Sequence, residues 1–345
     1  MAAQNQHYVP KFILRQFLSD QKNKRVSVYD KHTDKTFVTS IKNVMAERRF
    51  NDFYINDDWI VSFEPVACAA EDLILPAYQQ VLAERRISNS PEQKAALAVF
   101  IAFQFLRTKS SRDRWLSLEE VIVSKVEALG GKMQDVKGWE CWQPSDENTL
   151  KQEHLNLMRS SLNEVALIIA AKDFALIEAA AGRTFYLGDN PVCLSNSRES
   201  GLRGNIGLAV DGIEIYMPLS ADLMLCAWCP SLLNDISNKH HDAKRKRRAW
   251  ALSQVIEGEL TSEGMKSLVA EYEQIEYDHD ELLSATSEGR PVSSDDANMD
   301  FYNSLQTSYA YRYVVCSRGD FQLARLVNRE NPEQRRGYRL SAADA

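Results

Sequence analysis

Residues 96–106, ALAVFIAFQFL, are apolar around nearly the whole circumference of any helix they form. Such a helix cannot lie on a surface; it must be covered from several sides, so the rest of the chain has to be arranged around it. Ser90, Pro91 and Glu92 precede it as an N-cap, a first-turn proline and a first-turn acid, which predicts a helix over about 91–110. The two polar residues near its end, Gln104 and Arg107, lie three apart and project from nearly the same face.

The chain on either side reads in two periods. Upstream, RVSVYD (25–30) and KTFVTSI (35–41) alternate across the turn KHTD, a β-hairpin signal, and VMAERRFNDFYI (44–55) continues toward a third strand or a short helix. Helical spacing of Val66, Ala70, Leu73, Ile74, Ala77, Tyr78 and Val81 predicts a helix over 64–86. A charged helix follows from about Asp113 to Leu129, closed by Gly130 and Gly131. The connector KGWECWQPSDEN then leads into a long amphipathic helix over 150–172.

From residue 173 the pattern changes to short β-like runs, FALIEAA, TFYLGDNPVCLS, EIYMPLS and LMLCAWC, separated by turn-formers such as Gly182, Gly201, Gly204 and Gly212. Residues 234–294 read as helical with exposed charged faces, and 293–317 as a capped helix running into a last strand. The expectation is a single α+β domain over 1–345. It has an N-terminal β-hairpin (7–55), a central helical bundle (64–172), a mostly antiparallel β-rich part (173–230), and flanking helices with a last strand (231–320).

A net charge of −7 argues against a surface coated in phosphate-binding residues and leaves room for a local basic site. No run reaches the roughly 18 apolar residues of a membrane span; Val165–Lys172 is the longest candidate. Met1–Lys11 lacks an apolar signal core, and the six cysteines sit mostly in apolar runs, so a cytoplasmic, reduced bacterial protein is expected. Phosphate-loop, Gly-x-Ser-x-Gly and His-Glu-x-x-His signatures are missing, which disfavours a P-loop NTPase, an α/β-hydrolase and a zincin.

Several short motifs occur in order: HYVPKFILRQF (7–17), VYDK (28–31), SIKNV (40–44), FQFLRT (103–108), LGDNPV (187–192), MPLS (217–220) and NSLQTSYAYRYVV (303–315). In this the chain resembles the bacterial domain of unknown function 4238 family over about residues 7–318. The resemblance implies a cytoplasmic bacterial protein, often of mobile or accessory genes, with no settled activity to carry over. Gly188 departs from it, standing where the family usually has Ser or Thr before Asp-Asn-Pro. The basic stretch 239–248 looks like a local elaboration.

The candidate site is built from these motifs. His7 is a candidate base or ligand, or else a tether pinning the N-terminus with Tyr8. Arg107, with Gln104, is an anion clamp or the partner of Glu64 or Glu71. Asp189 and Asn190 orient water or a divalent ion, or else form an ordinary turn before Pro191. The leading expectation is that His7, Arg107 and Asp189 act as catalytic groups, with Gln104, Asn190, Tyr8 and Arg15 binding substrate and Glu71 nearby. Phosphodiester cleavage with Mg²⁺ or Mn²⁺ on a nucleic acid or nucleotide, by a nuclease-like effector of bacterial conflict or phage defence, fits those roles. The competing expectation is a non-catalytic binding or interaction protein whose polar cluster is structural. Cys226-x-x-Cys229 reads as core packing rather than zinc, and KHHDAKRKRRAW (239–250) as a solvated face that could touch a phosphate backbone, with Trp250 able to stack on a base.

Overall fold

A computed structural model describes residues 5–56, 59–88, 90–198, 206–259 and 261–337. Gly201 and Gly204, expected as turns, lie outside the described residues. Strand β1 (Asn5–His7) and helix α1 (Lys11–Leu14) open the chain. They are followed by β2 (Arg25–Asp30), β3 (Lys35–Ser40), β4 (Ala46–Arg48), β5 (Asp52–Asn56) and β6 (Trp59–Ser62). The helical part comprises α2 (Glu64–Glu84), α3 (Pro91–Leu106), α4 (Lys109–Ala128) and α5 (Glu147–Ala170). Then come β7 (Asp173–Glu178), β8 (Leu187–Gly188), β9 (Cys193–Asn196), β10 (Ile213–Pro218) and β11 (Leu223–Trp228). A long helical pair, α6 (Pro230–Ile256) and α7 (Ser262–Glu288), precedes β12 (Pro291–Ser293), α8 (Asp296–Tyr309), β13 (Tyr313–Cys316) and α9 (Gln322–Glu330). The fold is α+β, as expected.

Strands β12-β7-β11-β10-β9 form one sheet, antiparallel except for the parallel β12–β7 pair. Its central strand β11 is apolar and buried at every position because both faces of the sheet are covered, and the period of two sorts the side chains of β7, β10 and β11. Leu176, Ile215 and Leu225 face the core shared with α1, α2, α3 and α5, while Ile177, Tyr216 and Cys226 face α8. α3 lies inside the first of these cores, with Leu97, Phe100, Ile101 and Phe103 all buried, as its all-round apolar sequence requires.

The second sheet, β3-β2-β13-β8, is mixed in chain order: β13 lies between β2 and β8 and is antiparallel to both. The N-terminal hairpin is therefore completed by a strand from near residue 315. Three features differ from expectation, the first two for local reasons. α3 stops at Leu106 because Thr108 turns extended and caps α4, accepting from the Ser111 N–H at 3.2 Å, so α4 begins at Lys109 rather than near Asp113. The run 184–195 breaks into β8 and β9 around Pro191, which has no N–H to give a ladder. In α2 the buried stripe is Ala67, Ile74, Tyr78 and Val81, whereas Val66 and Leu73 point to solvent.

Candidate functional site

β1 is laid against β4 with His7 opposite Ala46, and the ladder continues as the Tyr8 N–H donates to the Met45 carbonyl. Pro10 ends this extended run and starts α1. The segment is gripped from its other side by the last turn of α3. The Gln104 amide donates to the Tyr8 carbonyl at 2.9 Å, and Arg107 donates one nitrogen to the His7 carbonyl at 2.7 Å and another to Glu71 at 2.6 Å. Spaced three apart on one face, Gln104 and Arg107 thus hold consecutive carbonyls. Of the two partners expected for Arg107, Glu71 takes the ion pair, and Glu64 instead accepts from the Asn51 amide.

The His7 side chain is buried and its Nε2 donates to the Ile41 carbonyl at 2.9 Å. Burial lowers its pKa to about 4, so at neutral pH the ring is uncharged and Nδ1 keeps the lone pair. His154 follows the same logic more deeply: Nε2 donates to the Leu106 carbonyl at 2.7 Å, and Nδ1 accepts from Arg112 at 3.4 Å. Burial takes it to about 3.

Asp189 is fully buried. Its carboxylate accepts the backbone N–H groups of Tyr311 (2.7 Å), Arg312 (3.0 Å) and Tyr313 (3.0 Å). Burial pushes the carboxyl up, and these donors with the nearby Lys31 ammonium pull it back. Asn190 accepts from the Thr108 hydroxyl at 2.9 Å and its amide donates to the Tyr309 carbonyl at 3.3 Å. Through Thr108 the α3–α4 junction that holds His7 and Tyr8 is connected directly to the Asp-Asn-Pro turn. The Tyr8 phenol lies in the field of Asp189, Glu47, Tyr313 and Arg312 and is held un-ionised by burial.

The structure therefore links His7, Tyr8, Gln104, Arg107, Asp189 and Asn190 in one polar network. Arg15 is exposed in the 3-10 turn after α1, beside Gln16, whose carbonyl accepts from the Ala221 N–H, and so lies toward the β10–β11 end. The outer edge of the network carries Lys109, paired with Glu47 and 5.3 Å from the Tyr311 ring centre, and Arg312, paired with Asp30 at 2.8 Å.

Three residues of the same network have no role in the sequence-based site. The buried Lys31 ammonium donates to the carbonyls of Thr307 (2.6 Å), Ala310 (2.7 Å) and Gln334 (2.8 Å), closing the C-terminus of α8. Asn303 and Gln306, one turn apart on α8, act as a sheet edge. Asn303 accepts from Tyr186 N–H and donates to the Thr184 carbonyl, and Gln306 accepts from Gly188 N–H and donates to the Pro191 carbonyl. The signal for them was present, since all three sit inside VYDK and NSLQTSYAYRYVV. Gly188 is explained by the same contact: a Cβ there would lie 2.8 Å from the Gln306 carbonyl oxygen.

Among the described residues, no three His, Cys, Asp or Glu side chains gather as a metal site. Cys226 is buried in β11, and Cys229 contacts Ser231 and Asp211. In the basic run of α6, Lys244 pairs with Asp280, Arg245 with Asp242, and Arg247 lies over the Tyr272 ring, leaving Trp250 half exposed. No helix among the described residues is long and apolar enough to cross a membrane.

Residues 5–320 match the family described as a protein of unknown function (DUF4238), and the chain belongs to that family. No curated protein and no solved structure matches it.

Proposed function

We propose that this member of the DUF4238 family is a non-catalytic binding or interaction protein whose motif residues are structural. One observation carries the reading: Gln104, Arg107, Asp189 and Asn190 all spend hydrogen bonds on the chain's own backbone, and the His7 ring does so through Nε2. A catalytic group needs bonding capacity left for substrate. In this reading the network fixes the N-terminal segment, the α3–α4 junction and the α8–β13 turn as one rigid unit in a bacterial cytoplasmic protein. The test compares thermal melts of wild type, His7→Gln and Arg107→Ala. A melting temperature lowered by several degrees in both supports it, and unchanged melts in both oppose it.

A second reading is favoured by one atom. With Nε2 of His7 donating to Ile41, Nδ1 retains a lone pair and makes no hydrogen bond among the described residues. A phosphate-directed hydrolase, nuclease-like and serving phage defence, would use that nitrogen as base and draw its anionic substrate to Lys109 and Arg312. The same variants are assayed on DNA, RNA and nucleotide panels with and without Mg²⁺ or Mn²⁺. Cleavage by wild type that His7→Gln abolishes at an unchanged melting temperature would replace the first reading with this one.

A further inference from the structure

The connector between α4 and α5, residues 129–146, folds back along the two helices and forms with them an open cleft of about 850 Å³. That volume lies within the range of small-molecule sites, roughly 300–1,000 Å³. The loop is braced across its middle and pinned at its C-terminal end. Glu119 of α4 accepts the Ser145 N–H at 3.0 Å, the Gln134 amide donates to the Trp142 carbonyl at 3.0 Å, and Asp146 caps α5 through the Thr149 N–H at 2.7 Å.

The walls have an unusual composition. Trp139 and Trp142 come from the loop, Ile122 from α4 and Leu157 from α5. Trp139 leaves 45% of its surface open. The charged residues lining the cavity are Glu119, Asp146 and Glu153, with no Lys, Arg or His among the lining residues. Glu119 has one oxygen committed to the loop and Asp146 one to the first turn of α5, while Glu153 makes no ion pair among the described residues.

An indole face carries negative quadrupole density and attracts a cation placed over it, most strongly where water is partly excluded. Carboxylates add to that field and repel an anion. Apolar side chains between them favour a ligand with a hydrocarbon body. We propose that this cavity binds an organic cation with an apolar body, a quaternary or substituted ammonium group. The site shares no residue with the His7 network and stands independently of either reading of that network.

The experiment uses the full chain, calorimetry and intrinsic tryptophan fluorescence, with choline and benzyltrimethylammonium as probes. 3,3-Dimethylbutan-1-ol serves as the uncharged isostere of choline. Saturable binding of at least one cation is expected, with the isostere weaker by about tenfold. Trp139→Ala should weaken the cation by a similar factor and Glu153→Gln by about threefold, both at an unchanged melting temperature, since both positions are exposed. Binding of the isostere as tight as choline, an affinity unchanged by Trp139→Ala, or no binding of either cation up to about 20 mM would overturn the proposal.

Discussion

Lys31 and Asp189 hold the same residue from opposite backbone groups: the Lys31 N–H donates to the Arg312 carbonyl at 2.9 Å, and the Asp189 carboxylate accepts the Arg312 N–H at 3.0 Å. Their side chains are also electrostatic partners inside the protein. Removing either charge leaves the other buried with its partner gone, which typically costs about 3–5 kcal/mol. Lys31→Met and Asp189→Asn should each lower stability by that order in urea denaturation. The double variant should cost less than the sum of the two, because the uncompensated charge is then absent.

Arg107 should be as sensitive. Its side chain is 3% exposed and its two donors serve different acceptors, Glu71 and the His7 carbonyl, in a geometry set by the planar guanidinium. Arg107→Ala is expected to cost about 3–5 kcal/mol. A single ammonium cannot reproduce the fork, so Arg107→Lys should recover less than half of the loss. Full recovery with Lys would show that charge alone matters there.

Stability should fall on mild acidification. His7 and His154 stay neutral in the fold down to about pH 4 and about pH 3, whereas in the unfolded chain each takes a proton near 6.5. Between those values the unfolded state binds more protons. Each histidine's contribution is therefore complete above pH 6.5 and shrinks by about 1.4 kcal/mol per unit as pH falls toward the folded value. Asp189, whose carboxyl burial pushes up, works in the opposite direction and offsets part of this. Denaturation midpoints at pH 7, 6 and 5 should decline, and His154→Gln should flatten the decline by roughly one histidine's share. A slope unchanged in that variant would place the acid sensitivity elsewhere.

Gly188→Ser should destabilise this chain. The new Cβ would meet the Gln306 carbonyl at 2.8 Å and its side-chain oxygen at 3.2 Å, so α8 must move or the strand must bend. Overpacking of this kind costs about 1–3 kcal/mol. A stabilised Gly188→Ser would mean that α8 has room to shift.

Much of the fold was legible because it follows from local rules. Ser90 and Pro91 place the start of α3, and the alternation in RVSVYD and KTFVTS gives the hairpin within a residue. The four buried positions of α2 were less legible. Its two apolar faces differ little in sequence, and only packing distinguishes Ile74, which is buried, from Leu73, which is 80% exposed. The pairing of β13 with β2 had no local signal at all, since it joins residues more than 280 positions apart. For the site, sequence spacing put Gln104 and Arg107 on one face, because helix periodicity fixes which side chains travel together, and it left Glu64 and Glu71 as alternative partners of Arg107, of which Glu71 takes the pair. What spacing cannot convey is that a polar side chain will take a backbone group as its partner. That is why Lys31, Asn303 and Gln306 were passed over although each lies in a motif.

The position of β13 also has a consequence for synthesis. At about 5–20 residues per second, tens of seconds separate the emergence of β2 from that of the strand that pairs with it. During that interval the β2 edge of the hairpin is open, a row of unpaired backbone groups of the kind that pairs with any extended chain within reach until residues 313–316 arrive to cover it.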